Sequence, residues 1–90
     1  MSLFTFIMAY RGGTYISQES AKDLETAKSK WVDNIIVNDI KYFGLAMQKE
    51  LKKEIEEDES ILIQGMKSIW INCYRVKGGF IVVHIIKTAK

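Results

Sequence analysis

The chain has no proline, one cysteine, one histidine and no unbroken apolar run long enough to cross a bilayer. Each shortage excludes something. Without proline, low-complexity stretches or a polar spacer there is no linker, so the ninety residues read as one domain, 1–90. A single cysteine, Cys73, excludes an internal disulfide and fits a reducing, cytoplasmic setting. One histidine and one cysteine are too few for a metal site. No basic stretch leading into an apolar run and a small-residue cleavage site opens the chain, so no signal peptide is expected. Residues 60–90 contain no acid at all.

What is present is apolar and evenly spread. Hydrophobic residues make up 48% of the chain, too many for a disordered segment. The net charge of +2 hides an asymmetry. Residues 49–59 (KELKKEIEEDE) carry three lysines and six acids, whereas the last third carries Lys67, Arg75, Lys77, Lys87 and Lys90. Attraction between the two segments within the fold is one reading; a basic face for an anionic partner is the other.

Two double-glycine turns organise the pattern. Tyr10-Arg11-Gly12-Gly13-Thr14-Tyr15 and Tyr74-Arg75-Val76-Lys77-Gly78-Gly79-Phe80 each separate two runs rich in β-branched and aromatic residues, as in β-hairpins. A type I′ loop at Gly12-Gly13 would pair Tyr10 with Tyr15, Met8 with Ser17 and Phe6 with Glu19. The second loop centres on Gly78-Gly79 or Lys77-Gly78, and both choices give the same faces. Between the hairpins, Leu24, Ala27, Trp31 and Ile35 recur at helical spacing behind an N-cap at Ser20 or Asp23, of which Asp23 leaves the two hairpin strands equal in length. A second stripe, Ile40, Phe43, Met47, Leu51 and Ile55, predicts a helix from Asn38 or Asp39, or one starting after Gly44. Ile61-Leu62-Ile63 reads as an apolar insert in a polar turn. The expected fold is α+β, in the order ββααββ, with one four-stranded antiparallel sheet and two helices.

Strand parity carries the functional expectation. Phe4, Phe6, Met8 and Tyr10 fall on one face of the first hairpin, with Leu3, Ile7, Ala9 and Ile16 on the other. In the second, Trp70, Tyr74 and Val76 share a face with Ile81, Val83 and Ile85. Ile69, Ile71, Cys73 and Arg75 share the opposite face with Phe80, Val82, His84 and Ile86. An antiparallel sheet with one wet face should alternate apolar and polar residues. Here both faces are apolar, and two short helices cover only one. The helices are therefore split between the faces, or something outside the chain covers the second.

Candidate chemistry is thin. Cys73 and His84 would form a nucleophile and base if hairpin pairing set them opposite, but no third group orients them. Gly12-Gly13 leads into a strand, so it is not a phosphate loop. The acids at 54–59 lack the spacing of a calcium loop. No cofactor is implied. Tyr10, Arg11, Tyr15, Trp70, Tyr74, Arg75, Lys77 and Phe80 are the candidate partner-binding residues. Aromatics on a sheet beside arginines suit a protein interface or, as a second reading, stacked bases and phosphates. The expectation is a non-catalytic cytoplasmic module that forms a homodimer or binds a protein through its sheet. A nucleic-acid-binding module comes second and a Cys/His enzyme third; no membrane is implied.

The stretch from Phe4 to Gln18, with its Gly-Gly-Thr-Tyr-Ile-Ser-Gln run and the following Ala27 and Trp31, resembles a group of short, uncharacterised bacterial proteins. That resemblance implies no function. The hairpin running into Asp23-Leu24-Glu25-Thr26-Ala27 is similar in shape to HicB-type antitoxins. That family's proline–glycine turn after the first strand is missing, so the similarity implies shape alone.

Overall fold

Strands with one strictly apolar parity must bury that parity, and this requirement shapes the fold. The computed structural model describes residues 1–57, 60–62, 66–77 and 79–88. The elements are β1 (Ser2–Tyr10), β2 (Gly13–Ala21), α1 (Leu24–Asp33), α2 (Leu45–Glu57), β3 (Ile61–Leu62), β4 (Ile69–Val76) and β5 (Gly79–Thr88). The fold is α+β in the order ββααββ, with two-residue β3 added at an edge. Strand order is β2-β1-β5-β4-β3, and all neighbours are antiparallel.

The first turn differs from the sequence expectation. Tyr10 pairs with Gly13, Met8 with Tyr15 and Phe6 with Ser17. The loop is therefore Arg11-Gly12, both at positive φ (48° and 83°). A type I′ turn needs this at both central positions, and here arginine supplies the first. The slip is two residues, so every side chain keeps its face. In the second hairpin Val76 pairs with Gly79, which leaves residues 77 and 78 between the strands. Gly78 lies outside the described residues.

The inner face of the sheet carries the core. Phe4, Phe6, Met8 and Tyr10 of β1, Tyr74 and Val76 of β4, and Ile81, Val83 and Ile85 of β5 are buried. Both helices lie on this side. Asp23 caps α1: its carboxylate accepts a 2.8 Å hydrogen bond from the Thr26 amide. That bond holds the carboxylate below its ordinary value. Trp31 stacks on Phe6, with centroids 4.9 Å apart and planes 2° from parallel.

The second stripe is only partly helical. Val37–Asp39 forms a 3₁₀ turn, and α2 begins at Leu45. Ile40 and Phe43 are buried from the preceding loop, with Phe43 edge-on to Tyr10 at 5.6 Å. Gly44 marks the start of the helix rather than a tight contact, since a Cβ there would meet nothing within 4 Å. The Gln48 amide donates to the Val32 carbonyl at 2.8 Å, and Lys52 pairs with Asp33, tying α2 to the end of α1. The Asp33 hydrogen bond raises the Lys52 ammonium above its ordinary value. Between α2 and the second hairpin, the Lys77 backbone N–H donates to the Glu50 carboxylate at 3.4 Å.

Candidate functional site

With both helices on the inner face, the opposite side of the sheet faces outward. Among the described residues, no helix or strand packs across it. β1 contributes Leu3, Ile7 and Ala9, β5 contributes Phe80, Val82, His84 and Ile86, and β4 contributes Ile69, Ile71, Cys73 and Arg75. Ile16 on β2 and Phe80 at the start of β5 are 66% and 61% exposed. On the two central strands, Leu3, Thr5, Ile7, Val82, His84 and Ile86 are half-buried, while Ala9, Phe80 and Thr88 are exposed. The polar side chains of this face are Thr5, Thr14, Gln18, Ser20, Arg75, His84 and Thr88, so its β2 edge is mostly polar and its centre mostly apolar. The Gln18 amide donates to the Thr5 hydroxyl at 3.0 Å, and the Thr88 hydroxyl donates to the Leu3 carbonyl at 2.9 Å. Arg75, whose guanidinium lies 5.2 Å from the Phe80 ring centre, carries the one formal charge on this face of the four long strands.

The candidate residues divide between the faces. Tyr10 and Tyr74 are each 2% exposed on the inner face, so they pack the core and present nothing to a partner. The Tyr10 hydroxyl donates to the Tyr42 carbonyl at 2.9 Å. Trp70 is half-buried on the same inner side, its ring 6.4 Å from that of Phe4, and Tyr15 packs against the core from β2. Turn-flanking aromatics here serve cross-strand and helix packing. Phe80 and Arg75 stand on the outer face. Arg11 and Lys77 are exposed in the two turns. Arg11 lies 4.1 Å from the centre of the Tyr42 ring.

Because Tyr10 pairs with Ile81 across the two central strands, both turns sit at the same end of the sheet. Arg11, Arg75 and Lys77 are thereby brought to one end, which the sequence does not disclose.

Cys73 and His84 share the outer face but are not opposite. Cys73 pairs with Val82 and His84 with Ile71, so the two are diagonal neighbours. A cleft of about 360 Å³ opens between β2 and the segment after α1, lined by Tyr15, Trp31, Asn34, Ile35 and Asp39 among others. Its polar groups do not converge: the Asn34 amide donates to the Glu19 carboxylate at 3.0 and 3.1 Å. Among the described residues, no group of three or more His, Cys, Asp or Glu side chains could hold a metal ion. Comparison with protein-family models, curated proteins and solved structures finds no match.

Ile7, Ile16, Val82, His84 and Ile86, outside the candidate set read from the sequence, also stand on the outer face. Their signal was present, since they occupy the second apolar parity.

Proposed function

We propose that this protein is a small interaction module without a catalytic step, which associates with a second copy or another protein through its outer sheet face. One observation carries the reading: Ile, Val, Leu and Phe side chains line a face that no described element covers. Contiguous apolar surface on an antiparallel sheet is costly in water and marks an interaction site. Cys73 stands exposed on that face and is the chain's one thiol, so it reports occupancy whatever the occupant. In intact cells Cys73 should resist a thiol reagent that labels it rapidly in the purified, diluted protein. Equal labelling in both settings would contradict the reading.

A second reading follows from the sheet topology. Arg11, Arg75 and Lys77 at one end of the sheet suit a polyanion such as single-stranded nucleic acid. Binding would weaken steeply with salt, and Arg75→Ser with Lys77→Ser would lower the salt slope. Absence of retention on nucleic acid at low salt removes it.

A further inference from the structure

We infer that the occupant of the outer face is a second copy of this chain, packed sheet on sheet about a twofold axis close to the Ile7–His84 pair. The inference rests on the proposed function and names its partner.

Area comes first. Four strands of eight to ten residues span the face. At roughly 4.8 Å between strands and 3.3 Å per residue, the projected face is about 600 Å² per copy, or about 1,200 Å² for two; specific interfaces bury about 1,200–2,000 Å² in total. One copy laid on another therefore reaches the lower end of that range.

Charge comes second. Apart from Arg75, the described residues of this face carry no formal charge, so the surface offered is mainly uncharged and an identical face matches it. Arg75 sits near the turn end of β4, an edge-side strand of the four. In aligned sheet packing a twofold axis lying between the sheets runs close to the strand direction or across it. With the axis along the strands the two Arg75 Cα atoms fall about 14 Å apart across the sheet, and with it across the strands about 26 Å apart along it, beyond the screening length of roughly 8 Å in physiological salt. Self-association thus brings no like charges together.

Position comes third. Ile7 pairs with His84 across the two central strands, and His84 pairs on its other side with Ile71. That row marks the middle of the face. Both His84 residues would therefore meet near the axis, among isoleucines. The result is a sandwich of two sheets with the helices outside, and it brings Cys73 under cover.

Sedimentation equilibrium of the purified chain tests this. The mass should rise from 10.4 kDa toward twice that value at micromolar concentration. Val82→Asp should return it to the monomer with an unchanged circular dichroism spectrum. Ile16→Lys, at a position already 66% exposed, leaves the fold intact and should weaken association about tenfold or more. His84→Leu should tighten it. A chain that stays monomeric at high micromolar concentration overturns the inference. If Cys73 is nonetheless protected in cells, the proposed function stands and the occupant is another protein. A dimer indifferent to both Val82→Asp and Ile16→Lys overturns the inference by placing the contact elsewhere.

Discussion

Val82 and Val83 are chain neighbours on the same strand, yet the fold gives them opposite fates. Val83 is fully buried against the helices, and Val82 is half-buried on the outer face. Val83→Ala removes two methyl equivalents from a packed core. At about 0.8 kcal/mol each, plus a term for the cavity left behind, the loss is roughly 2–3 kcal/mol. A domain of this length is stable by about 5–13 kcal/mol, so the variant stays folded, with a Tm lower by roughly 10–20 °C. Val82→Ala in a dilute, monomeric sample should cost under about 1 kcal/mol. Its larger effect should appear only where dimers are populated, because association stabilises the folded state by mass action. Urea melts of both variants and the parent, at two protein concentrations far apart, measure this. The Val83→Ala deficit should be the same at both, and the Val82→Ala deficit should grow with concentration. Equal losses in dilute solution would refute the assignment of faces. A Val82→Ala deficit independent of concentration would refute the link between that face and association.

Tyr10→Phe removes the hydroxyl that donates to the Tyr42 carbonyl and leaves the ring packing unchanged, so it should cost about 1 kcal/mol in urea melts. Asp23→Ala should lower the melting midpoint at neutral pH by removing the cap on the Thr26 amide. The folded-state carboxyl lies below its ordinary value of 3.8, so the cap's contribution is complete above that value and lost as the pH falls below it. The difference between parent and Asp23→Ala should therefore close in acid, and a gap that persists there would count against the cap.

Most of the architecture was legible because parity survives errors of register. The first loop was expected at Gly12-Gly13 and lies at Arg11-Gly12, since a glycine pair outweighs an arginine in any propensity argument. A two-residue slip moves no side chain between faces, so the separation of Phe6 and Val83 from Ile7 and Val82 was correct. The second helical stripe misled at its start. Ile40 and Phe43 are buried from a loop, which helical spacing alone does not distinguish from a helix. Strand β3 escaped notice because two residues have no periodicity, and its pairing to β4 is backbone geometry.

The site was less legible than the fold. Aromatics beside turns look like surface residues, since hairpin ends are surface. Tyr10 and Tyr74 nonetheless share the parity of Phe6 and Val83, and that parity sends them inward. The gathering of Arg11, Arg75 and Lys77 depends on β1 lying beside β5, a pairing between strands seventy residues apart that no local pattern encodes. The bare face was visible as a pattern. Its emptiness required knowing that α1 and α2 lie on the same side.

The most direct measurement is an isotope-filtered NOE experiment on a mixture of labelled and unlabelled chains, which reports contacts between molecules alone. Methyl groups of Ile7, Val82 and Ile86 in one copy should show contacts to the same outer-face residues of another. Intermolecular contacts arising only from the helices, or none at micromolar concentrations where the face would be filled, would contradict the account.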